Sequence, residues 1–543
     1  MRFYLWTCSR LLLHGFFTLA LFGQPDSGTI AQLEKLNHEI AARAGEGKSR
    51  AASDRPLAEL LAERRRLLEE AMRWTPQAAM RMAFAPEFAA KLRAAGSPDV
   101  EEYGEWEGTA HWVTADDFEK GRASVSMILR TGNEVLQVFP APPPRQMPAG
   151  SFRVSVKGLR LGGAAAGEIR LSNQGASENP PPCSNTGEQK FLVIPVYAAD
   201  SDPLRPLGLA PAALFGEEAP SLASHWREAS HGKAWVTGKV LDPVRLGRTY
   251  RLSEDYILAA DALRAVGEKE DLSAYNRFLF ILAGRLLESG TGGGGTLGCA
   301  DYGTGQAASL MWLRDADFYD RRRAAWMAAH EGGHNLGLMH ASTWEFPGAA
   351  LGKPGFPGLH TEYGSIFSPM GPNDGPLPHY HALEQFRIGW IDPSEVAEIR
   401  DAGEAVLEPM GRSGAGTRAA RILRDEEHGE WLWVEFRKRE GSYEGTLPAF
   451  ADAGAVIHLE EGSEKRGSFL LDFTPETPPQ TLPWDRDRTL RSGRSWQDLY
   501  TPLRLEVSGD GDRLTVRVAR ERACHGLAVD QTILNPDESA GEI

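Results

Sequence analysis

Residues 330–340 read HEGGHNLGLMH, a string in which three histidines and a glutamate stand at spacings suited to metal chemistry. An α-helix turns once every 3.6 residues, so His330 and His334 lie one above the other on a single face and can share one cation. Zinc accepts three neutral imidazoles and keeps a fourth position for water. Glu331 follows the first histidine, where its carboxylate reaches that water without ligating the metal. It is expected to act as general base and then as the acid that protonates a leaving amine. The metal lowers the pKa of the water and polarises the carbonyl under attack. A helix that ran straight on would carry His340 past the ion. Gly337 reaches the left-handed conformation at little cost, ends the helix and lets the chain bring His340 back as third ligand. HExxH alone arises by chance in long chains; a glycine and a third histidine at set positions make the extended string far more specific.

This string resembles the signature of the metzincin zinc metalloproteases, HExxHxxGxxH followed by a methionine turn. TEYGSIFSPMG supplies such a turn, and the resemblance makes Met370 the packing floor of the metal site rather than a ligand. Within the metzincins the chain is most similar to the gametolysin family, through HNLGLMHA, EYGSIFSPMG and HALEQFRIGWI. SLASHWREASHGKAWVTGKV resembles that family's early helix and strand, and WLWVEFRKREGSY the β domain that follows the catalytic domain in related secreted proteases. The resemblance spans residues 190–520 and is sharpest between Trp326 and Trp390. It implies a secreted zinc endopeptidase that hydrolyses peptide bonds of extracellular or cell-wall proteins through a zinc-activated water, with Glu331 as base and one catalytic Zn2+. Two positions depart from the family. Gly332 replaces a bulky apolar residue, and paired glycines cost the helix about 1–2 kcal/mol, which the surrounding core must offset. Pro372 stands where several metzincins carry a tyrosine that ligates zinc or steadies the oxyanion. Tyr380 or His379 is left to take that role, although Tyr380 equally suits a packing position.

The elements that must position this string are legible more coarsely. The chain has 543 residues, enough for two to four domains. With 59 basic and 74 acidic residues the net charge is -15, and no basic stripe offers a nucleic-acid interface. Arg2 and Arg10 precede the short apolar run Leu11–Phe22, expected as a signal peptide over 1–23. No second apolar run is long enough to span a bilayer. Secretion to the extracellular space or periplasm is therefore expected, with a protein or peptide as partner and no stable membrane insertion after signal cleavage. Four cysteines are present. Cys8 leaves with the signal, and Cys183 with Cys299 is the expected disulfide, although a Cys183 thiolate on the metal is an alternative that would hold the site latent. No Asn-X-Ser/Thr acceptor occurs.

Leucines at helical spacing in LAELLAERRRLLEEAMRW mark a helical segment over 24–100. SVSMILRTG, EVLQVFPA and SFRVSVKGLRL indicate a small β domain over 101–180, ending at ENPPPCSN; with the helices it forms a candidate prosegment. KFLVIPVYAAD and RFLFILA are near-continuous apolar strands, and AASLMWL a third, alternating with helices at SLASHWREASHG and 320–338. An α/β protease domain over 186–395, with a mixed twisted sheet and an active-site helix, follows from these and the resemblance. SGTGGGGTLG is expected as a mobile surface loop. Short strands after Pro393 predict a β-sandwich over 400–522 and a tail over 523–543. Asp485 with Asp487 and Asp510 with Asp512 offer carboxylates to a calcium ion, in turns that favour aspartate anyway. His360, His379 and His381 are expected as solvent-facing or supporting residues. Two rival readings stand beside the endopeptidase: a secreted binding or adhesion protein with a degenerate zinc-protease domain, and a zinc hydrolase of non-peptide substrates.

Overall fold

The computed structural model describes residues 27–44, 55–132, 134–144, 147–172, 183–250, 254–284, 292–462, 467–478 and 486–520. The expected signal peptide and C-terminal tail, with Cys8, Cys524 and Asp485, lie outside them. The described chain is a multidomain mixed α/β structure built on a 12-stranded, an 8-stranded and a 4-stranded sheet.

Helices α1 (Ser27–Ala44) and α2 (Leu57–Trp74) pack as a hairpin, continued by α3 (Pro76–Met82) and α4 (Pro86–Ala94). Proline opens each of the last two, where its missing N–H is no loss. The buried faces of these helices share a core with Phe139, Leu159 and Leu161 of the next unit. That unit is β1 (Glu102–Asp117), β2 (Arg122–Thr131), β3 (Glu134–Pro140), β4 (Phe152–Leu161) and β5 (Ala164–Leu171). Pairings β1–β2, β2–β3, β3–β5, β5–β4 and β4–β1 close it into a ring filled by Trp112, Met127, Leu136, Val154 and Val156. Ring closure removes the exposed sheet edges that invite foreign strands. One stretch escapes. β4 pairs with β1 only over Glu102–Ala110, which leaves the same side of β1 open from Val113 to Asp116.

The rest of the large sheet comprises β6 (Gly187–Tyr197), β7 (Ala234–Val240), β8 (Val244–Arg245), β9 (Arg277–Leu282), β10 (Gly293–Thr296), β11 (Ala300–Asp301) and β12 (Ala307–Arg314). Its central order is β7-β6-β9-β12-β10, with the first four strands parallel and β10 antiparallel. The strands read as continuous apolar runs because helices cover both faces. Alternation assigns the sides. Phe191, Val193, Leu279, Ile281, Met311 and Leu313 face α5 (Ala210–Phe215), α6 (Leu222–Ala229) and α8 (Arg321–Leu336). Leu192, Ile194, Phe278, Phe280, Leu310 and Trp312 face α7 (Asp255–Gly267).

Two expectations need correction. The glycine run is not all loop: Gly293–Thr296 is a buried strand, paired with β12 on one side and with Val113–Asp116 of β1 on the other. The 101–180 unit and the protease region therefore share one sheet. The boundary at 395 is also crossed, because Ala341–Glu345 and Leu359–Thr361 pair into the 8-stranded sheet of the C-terminal region. That sheet and the 4-stranded antiparallel one share a core that includes Leu407, Leu432, Ile457, Leu505 and Val516. Cys183, before β6, is bonded to Cys299, after β10. No described helix is long and apolar enough to cross a membrane.

Candidate metal centre

Helix α8 begins at Asp320, whose carboxylate accepts from the Arg323 amide at 2.8 Å. From Ala324 to Leu336 it is buried throughout. Near its end the Asn335 side-chain amide donates to the carbonyls of Thr296 (3.1 Å) and Leu310 (2.8 Å), which fixes the helix against β10 and β12. Gly337 then takes φ 100°, and the Leu338 amide donates back to the Gly333 carbonyl at 3.0 Å, an αL helix stop.

The paired glycines inside the helix have distinct reasons. A Cβ on Gly332 would lie 2.7 Å from Trp226 Cζ2, so the indole occupies the space a larger residue would take. A Cβ on Gly333 would lie 2.2 Å from Met370 Sδ. The thioether thus packs against the helix at the residue before His334. The same turn holds two ligands in place: the Pro369 carbonyl meets His330 Nδ1 at 2.8 Å, and the Met370 carbonyl accepts from the Ala341 amide at 3.0 Å, next to His340.

His330, His334, His340 and Asp116 offer ligand atoms that all lie within 4.8 Å of one another, and all four residues are buried. Asp116 comes from β1. Its carboxylate oxygens are 2.9 Å from His340 Nε2, 3.4 Å from His334 Nε2 and 3.5 Å from His330 Nε2. Each histidine has its Nδ1 engaged elsewhere: with the Pro369 carbonyl, with the Leu338 carbonyl at 2.8 Å, and with the Glu362 carboxylate at 2.6 Å. These partners place the ring protons on Nδ1 and turn every Nε2 inward as an acceptor, the arrangement a metal requires. His330 Nε2, Asp116 Oδ2 and both Glu331 carboxylate oxygens are buried without a hydrogen-bond partner. Buried acceptors are nearly always satisfied, and a cation shared by the three imidazoles and Asp116 satisfies the first two. The donor set fits a metal ion.

The local field agrees. Burial alone would raise Asp116, but the charge of His340 and the three imidazoles gathered around its carboxylate hold it well below the usual carboxylate range. Burial works against a charged His340 too, yet Asp116 and Glu362 lift it to about 10. The field that favours a proton there equally favours a metal cation. His330, walled by Trp326 and Phe118, is lowered by burial to about 4. Glu331 is pushed well above the carboxylate range, first by burial and then by the charge of Asp116. A basic carboxylate beside a three-histidine metal site is the pairing needed for water activation.

Of the residues singled out in the sequence, the structure brings together His330, Glu331, His334 and His340, with Gly337 turning the chain and Met370 below. Tyr380 takes no part in the cluster. Its hydroxyl donates to the Ala329 carbonyl at 2.6 Å and accepts from Trp226 Nε1 at 3.1 Å, so it packs against the helix instead of serving an oxyanion. His379 is likewise spent: its amide donates to Glu444 and its ring meets Glu228 at 3.2 Å. Cys183 is in a disulfide, and among the described residues no thiolate reaches the metal group. The three described carboxylates considered for calcium are occupied by the protein's own donors: Asp487 by Thr489 and Arg491, Asp510 by the amides of Asp512 and Arg513, and Asp512 by Lys438 and Arg412. His381 is buried against Ser468, and His360 lies 3.6 Å from the Glu362 that orients His340.

Three participants escaped the sequence reading. Asp116 lies far away in the chain, and only the β1–β10 pairing delivers it. Glu362 and Tyr363 lie in the EYGSIFSPMG string itself, whose acid and aromatic were there to be read. Tyr363 holds φ 57°, rests its ring 4.4 Å from that of His340 and donates its hydroxyl to Asp116 at 2.9 Å. The chain matches no protein-family profile and no curated protein sequence.

Proposed function

We propose that this chain is a secreted zinc-dependent endopeptidase of metzincin type, similar to the gametolysin family, that acts on extracellular or cell-wall proteins. The observation that carries the reading is the convergence of three Nε2 atoms, each with its Nδ1 locked by a separate partner, beside the unpartnered carboxylate of Glu331. Imidazoles suit zinc among the available divalent ions. His330, His334 and His340 would hold it, and bound zinc would supply Lewis acidity toward a carbonyl and toward water.

The protein's own groups do the remainder. Glu331 has no structural partner to give up, so it is free to take a proton from the attacking water and return it to the leaving nitrogen. Its burial strengthens it as a base. Pro369, Leu338 and Glu362 keep the imidazoles in one orientation through the cycle. Met370 and Tyr380 support helix α8 from below. The mixed sheet with α8 packed beneath it supports the metzincin reading, and the two C-terminal sheets around one core support the β-sandwich. The Cys183–Cys299 bond suits an oxidising compartment and hence secretion.

One observation favours a second reading. With Asp116 the cluster has four protein ligands, and closed sites of this kind are usually structural. A binding or adhesion protein with a degenerate protease domain fits that closure. It leaves Glu331 buried, unpaired and without a task, which is the reason to prefer the enzyme. Casein and a peptide library, digested by purified protein before and after removal of residues preceding Cys183, separate the two. Cleavage that is abolished by a chelator and by Glu331→Gln supports the peptidase. Stoichiometric zinc with no cleavage in either form supports the binder.

A further inference from the structure

We infer that Arg437, carried by the C-terminal sheet, is a positioning residue of the metal centre: it holds the main chain before and after Met370 and, through it, the orientation of His330. This rests on the reading of His330 as a metal ligand. Arg437 follows the strand Glu430–Phe436 of the 8-stranded sheet and is fully buried. A guanidinium carries five N–H donors in one fixed plane, and here all five are used. Nε donates to Glu444 at 2.7 Å, and Nη2 donates to the same carboxylate at 2.5 Å. Nη1 donates to Glu435 and to the Phe367 carbonyl, both at 3.2 Å, and Nη2 also donates to the His379 carbonyl at 3.1 Å. The two carboxylates are tied to the segment after Met370 in turn: Glu444 accepts from the His379 amide at 2.9 Å and Glu435 from the Ala382 amide at 2.5 Å.

Two short routes lead from this guanidinium to the metal. Phe367 lies two residues before Pro369, whose carbonyl meets His330 Nδ1 at 2.8 Å. His379 precedes Tyr380, whose hydroxyl donates to the carbonyl of Ala329, the residue before His330, at 2.6 Å. One side chain therefore bears on His330 through its ring and through its main chain. The side chains of the turn are met as well: His458 of the same sheet stands 3.3 Å from the Ser365 hydroxyl, and Ser368 donates to Glu384 at 2.6 Å while accepting from the Met370 amide at 3.0 Å. Stability alone gives no reason for this choice. A buried arginine with its carboxylates commonly stabilises a fold no more than well-packed apolar side chains of similar volume, and the neighbouring core of Phe367, Leu447, Phe450 and Val456 is apolar. What the ion cluster adds is direction, because a planar fork with every donor engaged admits one arrangement of its acceptors. The C-terminal sheet is thereby part of the metal centre rather than an appended module.

The test loads the full-length protein with zinc or cobalt(II). Arg437→Lys keeps the charge and loses the fork. Folded by circular dichroism, it should bind zinc at least about 10-fold more weakly in competition with a chelator and should shift the visible cobalt spectrum. Arg437→Gln with Glu444→Gln, which removes the ion pair as a unit, should do the same. Leu505→Ala, in the other core of the C-terminal region, should lower the denaturant midpoint at least as far and leave affinity and spectrum at wild-type values. A third arm needs no variant. Coupling between two sites is reciprocal, so zinc loading of wild type should slow amide exchange over 436–444 more than over the strand Leu503–Gly509. Unchanged affinity and spectrum in folded Arg437→Lys overturn the proposal. So does an equal affinity loss in Leu505→Ala, or equal protection of the two segments by zinc. If neither arginine variant folds, the exchange measurement decides. Affinity lost in Arg437→Lys with no peptide cleaved by wild type in any form supports the positioning role and refutes the peptidase reading instead.

Discussion

Gly333→Ala puts two opposing magnitudes against each other at the floor of the site. Alanine in a helix interior is favoured over glycine by about 1 kcal/mol, so on propensity alone the variant should be more stable. The structure says otherwise. The added Cβ would stand 2.2 Å from Met370 Sδ and 3.1 Å from Tyr380 Cε1, and both residues are fully buried. Forcing a methyl into a packed core costs about 1–3 kcal/mol. The thioether can yield in part, so we expect a net loss of up to about 2 kcal/mol. A larger effect falls on the metal. Lifting α8 stretches the contact of 2.8 Å between His330 Nδ1 and the Pro369 carbonyl, and loss of such an orienting bond weakens metal affinity about 10–100-fold. Competition with a chromophoric chelator measures the affinity, and denaturant unfolding followed by tryptophan fluorescence measures the stability. Met370→Ala on top of Gly333→Ala should recover part of both losses by vacating the space. A Gly333→Ala protein that is about 1 kcal/mol more stable and binds zinc like wild type would refute the claim that Met370 supports the helix at this point.

Other expectations are equally direct. Glu362→Gln removes the carboxylate on His340 Nδ1 and should weaken zinc binding about 10–100-fold in the same competition, with the fold intact by circular dichroism. Reducing the Cys183–Cys299 bond opens a loop with a sequence separation of 116 residues, and a loss of up to about 4–5 kcal/mol should appear as a lower denaturant midpoint with reductant present. Burial raises Glu384 to about 7, above its unfolded value, so its protonated form contributes stability that is present near pH 4.5 and is lost as pH rises through 7. Unfolding midpoints should therefore fall between pH 5 and 8, and Glu384→Gln should flatten that slope; a variant with an unchanged slope would assign it to other groups.

What could be read in advance was local. His330 and His334 are related by one helical turn, and Gly337 announced a left-handed stop that the chain takes at φ 100°. Apolar runs such as RFLFIL identified strands covered on both faces. The errors came from residues whose role is set across the sheet. Glycines carry a low strand propensity, so GGGT looked like loop, and only the crowding of Glu331, Thr114 and β12 around it explains a glycine strand. Asp116 lies near the end of a strand whose pattern is ordinary, and nothing in its neighbourhood points to three histidines more than two hundred residues away. Gly332 breaks the helix propensity rule because Trp226 occupies the space its side chain would take. Tyr380 was open between two roles, and its hydroxyl, spent on Ala329 and Trp226, makes it the packing residue, while Tyr363 stands at the metal group.

The central claim is that Glu331 activates water at a zinc held by His330, His334 and His340. Mass-spectrometric mapping of peptide-library cleavage by the zinc-loaded protein, with the N-terminal unit removed, tests it most directly. The account predicts cleavage that falls at least about 100-fold in Glu331→Gln, as expected for loss of a general base, and that stops when a chelator strips the metal. Cleavage that persists at wild-type rate through both changes would contradict it.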